Sequence, residues 1–460
     1  MIYTTPTMFT DKSKVHLIGI GGIGMSGIAQ LLLAQGQRLS GSDLKSTQLT
    51  RKLSALGAGV SIGHAGSNLQ DADLVIYSSA IKPNNPELVA ARERNLTVLN
   101  RAQALAALAN QKKEIAVTGA HGKTTTTSLI AHLLVKCGCE PTVCVGGELL
   151  GLNGNAFLGA GNLFVLEADE SDGSFLNFTP FYSVITNIDR EHLDYYRDLD
   201  QIIESFGQFM QNTKREGCVF FCQDDPKLVK LASSLKVRTF GYSLLNSAEI
   251  FARDIRMQSD CSRFRCIYRD QDLGEALLKV PGRHNISNTL VALAVGLELG
   301  LEFGSLRQAL SLYAGVRRRL ELKLKKNNIL VFEDYAHHPT EIKATISSLR
   351  NFQHKRILAV FQPHRYTRTK FLMEEFGNCF QGVDRLIVTD IYAASEAPIK
   401  GVDAQAICQK AKAAKVKEVL FLPKSDIIGH LLAEIQGGDL VAILGAGDIG
   451  SVADDLAKRL

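Results

Sequence analysis

Lys123 and Thr124 close a turn, Gly119-Ala120-His121-Gly122, that is entered from the apolar run Glu114–Thr118 and left through a helical pattern reaching about Cys137. Strand, glycine turn, Lys-Thr, helix is the arrangement of a phosphate-binding loop. Successive backbone N–H groups and a helix N-terminus face an anion there, and the lysine adds a full charge. Thr124 would set a hydroxyl on a magnesium ion. The usual pattern has a glycine where this chain has Val117. The plainer alternative is an ordinary strand-to-helix turn with a solvated lysine.

A second glycine turn, Gly19-Ile20-Gly21-Gly22-Ile23-Gly24, follows the apolar run Lys14–Ile20 and precedes a helical pattern over Met25–Gln35. Asp43 lies 24 residues beyond Gly19, close to where the acid of a Rossmann unit meets a ribose hydroxyl. This pattern suits a nucleotide diphosphate without saying which one. A dinucleotide is the rival ligand, and a turn needed only for close helix–strand packing is the bland reading.

Further polar clusters stand where apolar runs end. Leu163–Leu166 leads into Glu167-Ala168-Asp169-Glu170-Ser171-Asp172, which is either a magnesium-holding loop or merely a polar one. The run through Ile188 leads into Asp189-Arg190-Glu191-His192-Leu193-Asp194, so His192 follows a strand end closely. Asn285 and Asn288 sit at a helix start beside Gly282-Arg283-His284, as caps or as base- and ribose-recognising groups. Arg317-Arg318-Arg319 with Lys323, Lys325 and Lys326 is the densest basic patch, either a solvated face or a hinge touching a triphosphate. Arg365 and Arg368 share one loop and could clamp a carboxylate or phosphate.

These groups need elements that hold them at strand carboxyl ends, where open α/β sheets bind ligands. At 460 residues the chain exceeds a single core. Strand and helix patterns divide it into three α/β domains: 1–112, 113–320 and 321–460. Strands are expected over Leu74–Ser79, Thr97–Leu99, Phe181–Ile188, Cys218–Cys222 and Arg238–Tyr242, with an antiparallel insert over 249–280. The third domain is expected to carry parallel strands over Ile329–Phe332, Ile357–Phe361, Leu386–Asp390, Glu418–Phe421 and Leu440–Leu444.

Composition is that of an ordinary soluble protein, 45% hydrophobic and 22% charged. A net charge of +5 gives no electrostatic argument for nucleic acid and mildly suits anionic substrates. No signal peptide is read in the first 14 residues, and no uninterrupted apolar stretch is long enough to insert in a membrane. Nine cysteines without paired zinc spacing are expected to be reduced thiols. Three polar sites on three domains suggest a diphosphate nucleotide, ATP with magnesium and a small anion brought together. A kinase, an ATP-driven motor and an ATP-dependent ligase all meet that description, and no repeated interface-arginine pattern supports the motor.

The blocks HLIGIGGIGMSGIA, SGSD, YSSAI, TGAHGKTTTT, EADESDGSFL, TNIDREHLDYY, VPGRHN, DYAHHPTE, FQPHRYTRT and GAGDIG occur in this order from Lys14 to about Gly450. In this the chain resembles the Mur ligases of bacterial peptidoglycan synthesis, most of all their alanine-adding branch. The resemblance implies a Rossmann-like UDP-binding domain, a central P-loop ATPase-like α/β domain with an antiparallel insert, and a C-terminal Rossmann-like domain for the amino acid. It implies ATP, UDP-N-acetylmuramate and L-alanine as substrates, and two Mg²⁺ ions. The enzyme would be cytoplasmic, a monomer or weak homodimer, with no nucleic-acid partner.

By the same resemblance the γ-phosphate of ATP is attacked by the lactyl carboxylate, giving an acyl phosphate. The amine of alanine then attacks the acyl carbon, and phosphate leaves. Gly119, Ala120, His121, Gly122, Lys123, Thr124 and Thr125 would hold the triphosphate, with Lys123 neutralising the transferring group. Thr124 and Glu167 would hold one Mg²⁺, and Glu167 with His192 a second. Asn285, Asn288, Arg318, Arg319 and Asp334 would position ATP. His338, Arg365 and Arg368 would orient alanine and the acyl group. Gly19, Gly21, Gly22, Ile23, Gly24, Asp43, Ser78 and Ser79 would take the UDP moiety. The third domain would have to swing in to close the site.

The chain departs from the family pattern at Ala120, usually threonine, at Arg197, usually glycine, and at Leu320, usually phenylalanine; none is a proposed metal ligand. Other branches carry a lysine, modified to a metal-binding carbamate, where this chain has Gly207, and that omission favours the alanine-adding branch. A ligase that recycles a tripeptide shares much of the architecture. A nicotinamide oxidoreductase explains Gly19–Gly24 and Asp43 but leaves the Lys123 loop idle. A non-catalytic UDP-sugar-binding protein explains the first domain only.

Overall fold

The computed structural model describes Phe9, residues 13–152 and residues 154–460. The expectation of no signal peptide rests largely on residues outside that range. The chain forms two compact units. The first holds the described residues up to Asp189 together with Asp200–Glu249 and Val291–Ala309. The second holds Arg190–Leu199, Ile250–Leu290 and Leu310–Leu460.

The first unit opens with β1 (Lys14–Ile18), α1 (Ile23–Ala34), β2 (Arg38–Asp43), α2 (Gln48–Ala55), β3 (Gly59–Ile62), β4 (Leu74–Tyr77), α3 (Pro86–Glu93), β5 (Thr97–Asn100) and α4 (Arg101–Ala109). The five strands are parallel and ordered β3-β2-β1-β4-β5. The order reverses between β1 and β4, which leaves a crevice at their carboxyl ends. Local chemistry sets the helix starts. Asn85 caps α3, with Pro86 at its first position, and Asn100 and Gln103 form a reciprocal capping box on α4.

The same unit continues with β6 (Lys113–Thr118), α5 (Lys123–Lys136), β7 (Thr142–Leu149), β8 (Gly154–Phe157), β9 (Leu163–Glu167), β10 (Tyr182–Ile185), α6 (Leu199–Gln211), β11 (Cys218–Cys222), α7 (Pro226–Ala232) and β12 (Thr239–Ser243). These strands run in the order β12-β11-β10-β6-β9-β7-β8, all parallel but for β8. In β6 every residue from Glu114 to Thr118 is buried, as a strand covered on both faces requires. Gly207 lies buried in α6, where an added Cβ would stand 3.2 Å from Leu231 on α7. The position that carries a lysine in other branches is here a close packing contact.

The second unit contains the antiparallel β13 (Ile250–Met257), β14 (Ser262–Tyr268) and β15 (Gln271–Leu278). α8 (Arg283–Glu298) starts in this unit and ends in the first, which also holds nearly all of α9 (Phe303–Leu310). The second unit then has β16 (Glu321–Lys326), β17 (Ile329–Asp334), α10 (Pro339–Leu349), β18 (Arg356–Phe361), α11 (Tyr366–Phe371), α12 (Met373–Gly377), β19 (Arg385–Val388), α13 (Ala404–Ala413), β20 (Glu418–Phe421), α14 (Lys424–Glu434), β21 (Asp439–Leu444) and α15 (Gly450–Arg459). The final sheet is ordered β16-β17-β21-β18-β19-β20, parallel except at the β16 edge. Strand alternation splits its core in two. Ile357, Ala359 and Phe361 join one apolar cluster, and Leu358 and Val360 join the other.

Three expectations change. The strand expected to reach Ile188 ends at Ile185, because Thr186 and Asn187 turn to hold the Lys123 loop. The basic run after Arg319 is an edge strand, β16, its Lys325 and Lys326 exposed. The hairpin-forming β7 and β8 carry glycines at Gly146, Gly147 and Gly154 that hide their strand character in sequence.

Candidate functional site

Two glycine turns lie in the first unit, each between a parallel strand and a helix. At the first, Gly19 N–H and Ile20 N–H donate to Ser42 O at 2.9 and 3.0 Å, and Gly21 N–H donates to Asp43 Oδ2 at 2.9 Å. Gly19 takes φ +79°, and an added Cβ would lie 3.1 Å from the Cβ of Ser78. The turn, Asp43 and Ser78 therefore share one rim, at the carboxyl ends of β1, β2 and β4, with Ser79 next in chain. Asp43, expected at a ribose, here turns its carboxylate onto the backbone of the turn itself and also accepts from Lys45 N–H at 3.4 Å.

At the second turn, Gly119 has φ +134° and an added Cβ would stand 2.0 Å from Thr186 Oγ1, so no side chain fits. Ala120 N–H donates to Asn187 O, and His121 N–H to Asn187 Oδ1 at 2.9 Å. Asn187 Nδ2 and Thr186 Oγ1 both donate back to His121 O. Gly122 caps α5 in the left-handed region, with Thr125 buried in the first turn. Lys123 Nζ donates to Gly119 O, Ala120 O and Glu170 Oε1 at 2.6, 3.0 and 2.7 Å. Thr124 Oγ1 donates to Glu167 Oε1 at 3.1 Å, and Gly146 N–H donates to Glu167 Oε2 at 2.8 Å. A hydroxyl and a carboxylate converging beside a lysine form an oxygen donor set of the kind Mg²⁺ takes.

The second unit gathers other candidates. His192 has φ +55° and Arg365 φ +69°, a costly conformation for residues with side chains. A pocket there is lined by Arg190, Glu191, His192, Asp194, Arg365 and Arg368, among others. Arg365 Nη1 donates to Asp194 Oδ2 at 3.0 Å, and Arg368 Nη2 stands 3.6 Å from Glu191 Oε1. Burial first, then the charge of Arg368, pushes His337 down to about 4 and His364 down to about 3, so both imidazoles are neutral at pH 7. His338 instead caps α10, its Nδ1 accepting from Thr340 N–H at 3.3 Å, and it is His337 that reaches toward Glu191.

The arginines of the basic patch are largely occupied. Arg318, at φ +59°, donates to Glu333, Gly445 O and Gly447 O, and Arg319 pairs with Glu341 at 3.4 Å. Both guanidinium groups lie 5.0 Å from the Tyr335 ring centre. Asp334 accepts from Leu320 N–H and Ala336 N–H; burial pushes it up to about 6 although Arg319 draws it down. Asn285 is buried and donates to Pro281 O, while Asn288 donates to Asn285 Oδ1 at 3.4 Å, so their side-chain amides hold each other and the preceding turn. Sequence reasoning passed over Glu170, Asn187, Glu191 and Glu333 as partners. Glu170 and Glu191 had a signal, their places in the polar runs that follow β9 and β10.

The Mur ligase family, catalytic domain matches residues 14–113, the Mur ligase middle domain residues 117–296, and the Mur ligase, glutamate ligase domain residues 318–447. The UDP-N-acetylmuramate–L-alanine ligase of Syntrophus aciditrophicus (strain SB) is 46% identical over 457 residues, covering 99% of this chain and 95% of that protein. The enzyme of the same name from Pelotomaculum thermopropionicum is 47% identical over 451 residues, covering 98% of each. The crystal structure of the UDP-N-acetylmuramate–alanine ligase from Thermotoga maritima superposes with a TM-score of 0.83 at 29% identity, over 97% of this chain and 98% of that one. A murein peptide ligase from Psychrobacter arcticus shares the fold, with a TM-score of 0.73 at 24% identity over 97% and 98% of the two chains. With three successive family domains along one chain and such identity at full length, the protein is a member of the Mur ligase family.

Proposed function

We propose that the chain is an ATP-dependent ligase that joins L-alanine to the lactyl carboxylate of UDP-N-acetylmuramate in peptidoglycan precursor synthesis. The observation that carries this reading is the Lys123 turn, where the Thr124 hydroxyl stands 3.1 Å from Glu167. An oxidoreductase has no use for that turn. A carboxylate is a poor acyl donor, so its attack on the γ-phosphorus of ATP, with ADP leaving, creates a mixed anhydride. The alanine amine then forms the amide bond, loses a proton, and displaces inorganic phosphate.

The attack brings two anions together, so positive charge must be in place beforehand. Lys123 supplies it at the transferring phosphoryl group, moving from Glu170 to the phosphate oxygens. Thr124 and Glu167 would hold one Mg²⁺ ion and Glu167 with His192 a second, and the ions would screen the phosphate charge. Arg365 and Arg368 orient the amino acid and the acyl group with His338. Arg318, Arg319, Asp334, Asn285 and Asn288 position ATP. Gly19–Gly24, Asp43, Ser78 and Ser79 take the UDP moiety.

On this reading residues 1–112 bind the UDP-sugar, 113–320 bind ATP and metal, and 321–460 bind the amino acid. The reaction belongs in the cytoplasm, and the enzyme works as a monomer or weak homodimer. Among the described residues no helix is long and apolar enough to cross a membrane.

The test is phosphate release from ATP and Mg²⁺ with UDP-N-acetylmuramate, with and without L-alanine. Release that needs both substrates is expected. Release with a tripeptide but not with alanine would move the assignment to a recycling ligase. No turnover with any amine would overturn the ligase reading.

A further inference from the structure

Arg101 belongs to neither turn; it lies against the first and reaches the acidic loop that holds the second. It is the first residue of α4, and the Asn100–Gln103 capping box fixes the backbone that presents it. Its Cδ and Nη1 stand 3.1 Å from where a Cβ of Gly24 would be, at the first turn of α1. Its Nη2 donates to Asp169 Oδ2 at 3.2 Å. Asp169 sits in the acidic loop after β9, between Glu167, which holds Thr124, and Glu170, which holds Lys123. The charges of Arg101 and Lys123 both act on Asp169.

We propose that Arg101 is a positioning residue that couples the two nucleotide sites, its guanidinium shared between Asp169 and the anion bound at the Gly19–Gly24 turn. The proposal rests on the reading that this turn takes the diphosphate and the Lys123 turn takes ATP. Without ligand, Asp169 neutralises the guanidinium. A diphosphate at the N-terminus of α1 competes for it, because an arginine fork bonds phosphate oxygens two at a time. As Arg101 turns toward the diphosphate, the Asp169 carboxylate is freed for the magnesium ion that accompanies ATP. Binding of the UDP-sugar therefore tightens Mg²⁺·ATP, and by reciprocity ATP tightens the UDP-sugar by the same factor.

The experiment measures the affinity for a non-hydrolysable ATP analogue with Mg²⁺ by calorimetry, in the absence and presence of saturating UDP-N-acetylmuramate. The wild-type protein is expected to gain about fivefold or more, at the low end of ordinary coupling. Arg101→Ala and Asp169→Asn should each bring the factor to about one, and the double variant should lose nothing further. Arg101→Lys should restore part of it, a recovery that a purely structural defect would not show. Unchanged coupling in Arg101→Ala or in Asp169→Asn, or no coupling in the wild type, overturns the proposal. A wild-type protein that binds the ATP analogue but not UDP-N-acetylmuramate overturns the functional reading, and this proposal falls with it.

Discussion

The turns at Gly19 and Gly119 share a backbone plan and differ in what they can do. Each joins a buried parallel strand to the N-terminus of a helix, and each begins with a glycine at positive φ, +79° and +134°. The first is braced by Ser42 O and the Asp43 carboxylate, and its own residues are glycine and isoleucine. With the N–H groups of Gly19, Ile20 and Gly21 so bonded, what it offers an anion is the N-terminus of α1 and its dipole. The second adds a lysine on Glu170 and a hydroxyl on Glu167. Those groups neutralise charge that moves, which phosphoryl transfer demands. On the proposed reading, one geometry holds a diphosphate and the same geometry with two added side chains transfers a phosphoryl group.

The largest effect should come from Lys123→Ala. It is expected to lower kcat for substrate-dependent phosphate release by roughly 10²–10³-fold while leaving UDP-N-acetylmuramate binding intact. A variant with most of its activity would erase the distinction between the turns. Next is Glu167→Gln, which removes a charge from the Thr124 pair. Titrating the rate with Mg²⁺ should show the half-saturating concentration rising about tenfold or more, and chelating the metal should stop the wild-type reaction. An unchanged Mg²⁺ requirement would take Glu167 out of the metal site.

Gly21→Ala sharpens the other side. Its Cβ would meet Thr50 Cγ2 at 2.8 Å and Asp43 Oδ2 at 2.9 Å. The KM for UDP-N-acetylmuramate should rise about tenfold, a loss near 1.4 kcal/mol, with the KM for ATP at saturating UDP-N-acetylmuramate unmoved. Equal changes in both would mean that the turns are not separate sites.

The smallest effect concerns the strands that lead into the turns. β1 begins with Lys14 paired to Asp71 at the surface, whereas β6 carries Glu114 fully buried. Burial pushes that carboxyl up to about 8, although Lys214 draws it down. The folded state therefore binds this proton more tightly than the unfolded chain, and stability falls as pH rises from about 4.5 to about 8. Glu114→Gln should raise Tm by about 2–4 °C at pH 8 and leave it unchanged at pH 4. Equal melting shifts at the two pH values would show that the acid is not protonated in the fold.

Both turns were legible in the chain because their requirements are local. A glycine at positive φ, a buried run before it and a helical pattern after it are all properties of neighbours in sequence. The α/β alternation and most strands were legible for the same reason, since parallel strands buried on both faces read as unbroken apolar runs. Asn187 was hidden because it looks like the end of a strand, and only its bonds to the loop formed 66 residues earlier explain it. The neutralisation of the basic patch was not legible, because charge alone does not name its partner: Glu333 on β17 and Gly445, just past the end of β21, reach Arg318.

By itself the sequence determined the turn types, the helix starts, the three-part α/β plan and, through the order of its motif blocks, the family. These depend on backbone sterics, period and residue chemistry over a few positions. Only the tertiary structure decided which carboxylate holds Lys123, that Asp43 braces its own turn, that His337 rather than His338 reaches toward Glu191, and that Arg101 joins Gly24 to Asp169. Such pairings join residues far apart in the chain, and a short range of ångströms in space leaves no spacing rule in one dimension.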